Sequence, residues 1–308
     1  MEKYPNANVG WFFRLVQIAT ASVFLGRAWQ HIVWDAPFRT LFWDEAWMRP
    51  LITGVLGWEW EAYATSPAVD AFISDLIVGF GWFYVLCAGV ALGINYLGRI
   101  GRIILRLGGI GLIFLAFLYL KERFFFVGQF LEYTLQFSSP FLLVYLSQSK
   151  PITKGFLTFV KIAIALTFTC HGLYAVGFYP RPGNFIGMVM NITGLEEGGA
   201  ISFLNVVGIL DFVLSVGLFL PFRWAVLPSV AYAAFWGFGT TIARVWANFY
   251  PDYWEQTLLQ WLHESVYRIP HFILPLALLL FYLAIWRKPK TAPALTAQES
   301  PPSAPSQD

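Results

Sequence analysis

The sequence predicts an all-α protein built into a membrane: a polytopic membrane helical bundle. About eight transmembrane helices are expected, as two four-helix repeats with short outer interfacial helices. Composition is the first reason. Of 308 residues, 57% are hydrophobic and only 12% are charged, where a soluble domain carries about 25% charged residues. Aromatic content is the second. It reaches 19%, with 14 Trp, and Trp and Tyr favour the headgroup layer of a bilayer. The third is the length of the apolar runs, each long enough to cross about 30 Å of hydrocarbon.

The runs fall at 11–33, 73–97, 103–121, 129–147, 154–178, 201–221, 224–246 and 266–286. The first lacks a small-residue cleavage site, so it reads as a true span and not as a signal peptide. The third is the shortest. Loop charge then orients the set. One face carries Lys3, Arg14, Arg99, Arg102, Arg106, Lys150, Lys154, Arg223, Arg287, Lys288 and Lys290. The other carries the acids of 34–72, 194–200 and 247–268 with fewer bases. By the positive-inside rule both termini are cytoplasmic, and an even span count agrees. The location expected is a bacterial inner (cytoplasmic) membrane.

Between the first two spans, the outer loop 34–72 mixes Trp and Phe with acids and prolines. It is too interrupted to cross and fits short helices at the interface. Pro67 suits the first turn of the helix that follows, with Ser66 as its cap. The outer segment 247–268, with Leu258, Leu259 and Leu262, is expected either to float on lipid or to cap the bundle. Residues 289–308 are rich in Pro, Ala, Ser and Gln and are expected to be a disordered cytoplasmic tail.

The chain also matches itself. "ASVFLGRAWQHIVWDAPFR" parallels "IALTFTCHGLYAVGFYPRPG", setting Arg27 against His171. "QFSSPFLLVYLSQSKP" parallels "HFILPLALLLFYLAIWRKP", setting Gln136 against His271 and Pro140 against Pro275. Arg123 falls against Arg244 in the third spans. Two units follow, 1–150 and 151–288, with the same topology, which makes a parallel and not an inverted repeat.

Ionisable groups inside apolar spans carry the functional reading, because such groups are costly in hydrocarbon and line cavities, pair, or act. They are one-sided: His171, Asp211, Arg27, Arg244, His271, Arg268, Glu132 and Arg123 all fall toward the outer face and form the candidate ligand site. Asp211 is the most expensive, in mid-span without a nearby base in sequence. It is expected to face the bundle, toward His171 or Arg27. Glu132 is expected to pair with Arg123 or Arg27, and Glu264 with Arg268 four residues on. Lys121 and Arg123, at the end of the third span, either reach for headgroups or serve the site. Histidine suits metals, proton transfer or a quinone carbonyl, yet no HxxxH or HxH pair occurs, so no metal is expected. Cys87 and Cys170 form no CxxC and read as small buried hydrophobes. Gly89-x-x-x-Gly93 reads as a tight helix contact. No nucleotide loop, HExxH or nucleophile elbow is present, and the basic residues are short juxtamembrane clusters, which excludes nucleic acid as a partner.

The segments "FTCHGLYAVGFYPRPGNF", "VVGILDFVLSVGLFL" and "RIPHFILPLALLLFYL" together resemble the DoxX/DoxD-like membrane family of four-helix bundles. Residues 154–288 carry the resemblance better than the first half. The family's His-Gly falls at His171-Gly172 and its acid at Asp211. In the first half Arg27 replaces the His and Phe83 stands where the acid would be. The resemblance implies a link to quinol or thiol redox complexes, and hence a possible quinone cofactor and a redox partner besides membrane lipid. Three functions follow in order: a binding or accessory protein holding a small lipid-like or quinone-like molecule; a quinol-linked or lipid-modifying membrane enzyme; a transporter.

Overall fold

A computed structural model describes residues 10–287. The expected tail, 289–308, and the charges Lys3 and Lys288 lie outside the described residues. The described chain is largely helical. Its helices are α1 (Gly10–Val33), α2 (Arg39–Phe42), α3 (Glu45–Gly54), α4 (Trp60–Ala64), α5 (Pro67–Glu122), α6 (Val127–Leu131) and α7 (Thr134–Leu146). They continue as α8 (Lys154–Ala175), α9 (Gly183–Thr193), α10 (Glu197–Gly217), α11 (Arg223–Trp246), α12 (Trp254–Arg268) and α13 (Pro270–Arg287).

Five stretches among the described residues are long and apolar enough to cross a membrane: Pro67–Glu122, Lys154–Ala175, Glu197–Gly217, Arg223–Trp246 and Pro251–Trp286. That is fewer than the eight runs read from sequence, for three physical reasons. The α5 stretch holds two of those runs. It breaks at Gly98, whose φ of 51° and ψ of −126° suit only glycine. Its arms then pack on each other: Cys87 Sγ approaches the Ile104 carbonyl at 3.9 Å, and Gly111 lies against the Tyr84 ring. Second, α1 has the length but carries Arg14, Gln17, Arg27, Gln30 and His31. Third, α7 is only 13 residues long.

The exposed faces fit a lipid solvent. Phe72, Trp82, Leu86 and Leu92 of α5, Val206, Ile209, Val213 and Val216 of α10, and Trp224 and Phe235 of α11 all point outward. Within the bundle, α1 is the central strut. It packs on both arms of α5, on α7, on α12 and on α13, while α7 also meets α8. One continuous core therefore runs through both halves, joining Phe12, Val16 and Phe24 to Phe168, Leu274 and Phe281.

The outer loop 34–72 is not a loose float. Phe38, Ile52, Trp60 and Tyr63 form a small core with Ile73, Ile77, Leu115 and Leu118 of α5. Arg39 fastens it, bonding Asp35 and Asp70 and donating to Ser74. Lys121 bonds Asp44 and does not reach for headgroups. Pro67 opens α5 as expected, and Ser66 sits at the cap position without a side-chain cap bond. The α12 segment is likewise built in: Thr257, His263, Tyr267 and Arg268 are buried, and it packs on α1 and α11.

The Gly89/Gly93 contact does not form. A Cβ at Gly89 would meet nothing, and one at Gly93 only Leu97 of its own helix. Close crossings occur elsewhere, chiefly where Gly172 of α8 faces Gly208 of α10. A Cβ on Gly172 would lie 2.8 Å from the Gly208 carbonyl oxygen.

Candidate functional site

The Gly172–Gly208 crossing positions the first two candidate residues. His171 precedes one glycine and Asp211 follows the other by one turn, so the two helices can touch only by bringing these side chains to one side. Asp211 is 1% exposed. Its Oδ1 has no hydrogen-bond partner among the described residues, and the Trp236 indole lies beside the carboxyl. This agrees with the expectation that Asp211 turns inward toward His171. Arg27 is not its neighbour.

His171, Asp211, Arg244 and Arg268 all line one cavity of about 260 Å³. They come from α8, α10, α11 and α12. Helix α9 covers one side with Phe185, Met188 and Ile192, and Phe203, Val207 and Trp236 contribute to the remaining wall. The hollow is therefore apolar with a few polar groups aimed into it, the usual form of a small-molecule site. Arg244 Nη1 lies 3.5 Å from Glu264 Oε2, so the expected Glu264–Arg268 pair is replaced by one across helices. Arg268 has no carboxylate within ion-pair distance among the described residues, and the Nε of each arginine is unpartnered.

His271 is 1% exposed and does not line the cavity. It stands behind His171, the two imidazoles stacked with centroids 5.5 Å apart and planes 8° from parallel. Its Nδ1 donates to the Arg268 carbonyl at 3.0 Å, which fixes the ring. Glu132 Oε2 approaches His171 Nε2 at 3.9 Å, and Glu132 Oε1 accepts from Gln129 Nε2 at 2.7 Å. Glu132 thus joins the histidines. The expected pairing with Arg123 or Arg27 is absent among the described residues. Arg123 lies exposed at the end of α5, away from the cavity, because α5 stops there in a tight turn through Phe124 and Phe125, both with positive φ.

Arg27 occupies a compartment of its own at 1% exposure. Nε and Nη2 both donate to Gln136 Oε1, at 3.2 and 2.7 Å, and Nη1 donates to Gln30 Oε1 at 2.7 Å. The guanidinium carbon sits 3.8 Å from the Tyr267 ring centre, with Tyr133 at 5.0 Å and Tyr119 at 5.5 Å. No carboxylate pairs with it among the described residues. Aromatic faces and amide oxygens stabilise the charge instead.

Attention to ionisable groups alone misses Gln30, Gln129, Tyr119, Tyr133, Tyr267 and Trp236. The available clue is amides inside apolar spans: Gln17 and Gln30 in α1 and Gln129 and Gln136 around α7 are all buried. His31 plays a local part. Its Nδ1 donates to the Arg27 carbonyl at 2.6 Å and its ring packs edge-on to Phe38 and Tyr84. No group of three or more metal-ligating side chains occurs among the described residues. Comparison with known protein families, curated proteins and solved structures finds no match. The chain is therefore placed by its own architecture alone: a membrane-embedded helical bundle.

Proposed function

We propose that the protein is a DoxX-like membrane protein of two four-span units, 1–150 and 151–288, which binds a small lipid-like or quinone-like molecule in an outward-facing pocket. Its role is that of a binding or accessory component. The single observation that carries this reading is convergence. His171, Asp211, Arg244 and Arg268, from four helices, meet at one part-enclosed apolar cavity. Hydrocarbon penalises each of those groups, so their assembly around a hollow needs a reason beyond packing.

The eight-span count rests on α1, the two arms of α5, α7 together with α6, α8, α10, α11 and α13. Pair geometry supports the duplication. Arg27 and Gln136 bond each other in one half, and His171 and His271, at the matching sequence positions, stack in the other. Across the halves, α1 packs on α13 and α7 on α8, as two equivalent units around a common axis would. Loop charge supports cytoplasmic termini, with the cavity toward the outer face.

The test is mass spectrometry of molecules that co-purify with the protein. Wild type is expected to retain a stoichiometric small amphiphile, and His171→Ala and Asp211→Ala are expected to lose it. Protein that carries none, or variants that carry as much as wild type, would remove the basis for a pocket. A second reading, a quinol-linked or lipid-modifying enzyme, draws on the row Glu132, His171 and His271, three groups able to pass a proton. A bound quinone with turnover abolished by Glu132→Gln would favour it.

A further inference from the structure

Three polar atoms on side chains lining the cavity have no hydrogen-bond partner among the described residues: Asp211 Oδ1, Arg244 Nε and Arg268 Nε. The residues are 1%, 5% and 8% exposed. Buried polar groups without partners are exceptions that call for a cause. One acceptor and two donors thus lie unpartnered on residues that line one hollow, each atom itself closed to water.

They lie at two depths. Three contacts mark a common level across the bundle. Gly172 meets Gly208, His171 stacks on His271, and α11 touches the His271 backbone at Gly237. From that level Arg244 is about two helical turns toward the outer end of α11, and Arg268 precedes His271 in the same direction. Asp211 is about one turn the other way along α10. At 1.5 Å per residue, Asp211 and Arg244 are about 15 Å apart along the axes, less the reach of the arginine. Met188, Phe203 and Val207 occupy the wall of the same hollow and are apolar.

We infer that the cavity takes a two-ended amphiphile, with a carboxylate at the Arg244–Arg268 end, a hydrogen-bond donor at Asp211 and an apolar middle. This rests on the reading of the cavity as a ligand site. Two arginines lining one end of the hollow match the two oxygens of a carboxylate, which arginine holds better than any neutral acceptor. Among the described residues Arg268 has no carboxylate within ion-pair distance, and Glu132 and Glu264 act on it only from farther off, which leaves its donors for a ligand anion. Asp211 lacks a cation, and either a hydroxyl or an ammonium would supply the donor. The volume, about 260 Å³, is near that of about nine waters, the scale of a medium-chain acid and not of a two-tailed lipid.

The test is equilibrium dialysis of the full chain in nanodiscs against 10-hydroxydecanoate, 10-aminodecanoate, decanoate and 1,10-decanediol. At least one of the first two is expected to bind about 10- to 100-fold more tightly than both decanoate and the diol, the range for a hydrogen bond to a charged group. Which of the two prevails identifies the donor. Arg268→Gln should erase the advantage over the diol, and Asp211→Leu the advantage over decanoate. Should a variant fail to fold, the wild-type ligand series decides alone. If all four probes bind within a few-fold of one another, the two-ended inference is wrong while the pocket stands. If none binds and nothing co-purifies, the pocket reading falls with it.

Discussion

His171 and His271 lie face to face, ring centres 5.5 Å apart and planes within 8° of parallel. Under the proposed duplication they correspond to Arg27 and Gln136, which bond each other. Each proposed unit would then close its first and last helices through one polar pair, and the two pairs use different chemistry. If they are equivalent, exchanging one for the other is tolerable only when both partners change. Arg27→His and Gln136→His are each expected to lower the unfolding midpoint in detergent, and the double variant to lose at least about 1 kcal/mol less than the two losses added. Strict additivity would mean the pairs are unrelated.

Arg27 itself makes three hydrogen bonds from one planar group. Lysine keeps the charge but not the fork. Arg27→Lys is expected to cost about 1–3 kcal/mol, since it leaves a buried amide oxygen unpartnered. Thermal unfolding of the purified variant measures it. A midpoint equal to wild type would show that charge alone matters.

Gly172 permits α8 and α10 to touch. With alanine, the new methyl would stand 2.8 Å from the Gly208 carbonyl oxygen. The helices would separate and carry His171 away from Asp211. We expect Gly172→Ala to cost about 1–3 kcal/mol and to weaken any ligand that needs both side chains. Gly89→Ala serves as the control, because a methyl there meets nothing.

At Gly98 the obstacle is backbone conformation and not space. No atom lies within 4 Å of a Cβ there, yet φ is +51°. Gly98→Ala is expected to destabilise by about 1–3 kcal/mol, read from unfolding midpoints. An unchanged midpoint would place the turn of α5 elsewhere.

Asp44 titrates outside the spans, and its hydrogen bond to Lys121 holds its carboxyl below the ordinary 3.8. A depressed folded value means that the bond's stabilisation is present above that ordinary value. It is lost as pH falls through the lower folded one. Residues 39–65 are therefore expected to lose amide protection, relative to the intrinsic exchange rate at each pH, below about pH 4, and Asp44→Asn to show that lower protection already at pH 7. Protection that is flat with pH in wild type would remove the bond from any structural role.

Much of the architecture is legible in the sequence because hydrocarbon imposes a simple rule on composition and run length. The inward turn of Asp211 is legible for the same reason, since an acid in mid-span has few options. Pairing is not. Glu264 reaches Arg244 on another helix in place of Arg268 on its own, and Glu132 meets a histidine from the other half. Such partners depend on helix rotation, which no local spacing encodes. The glycine contacts fail in the same way. Gly89 and Gly93 have the spacing of a packing motif but face outward, whereas Gly172 and Gly208, in separate helices, form no motif. The Arg27 cage escapes notice because tyrosine and glutamine look unremarkable one at a time.

Helix α1 does more than anchor the first half. Its Gly26 is pressed against the backbone of α12 at Tyr267 and His263, and its Arg27 rests on the Tyr267 ring. The segment that carries Arg268 is thus braced by a strut from far away in the sequence. Cutting the chain at the midpoint would strip that brace, and the latter portion alone would bare a greasy trough where α1 had lain.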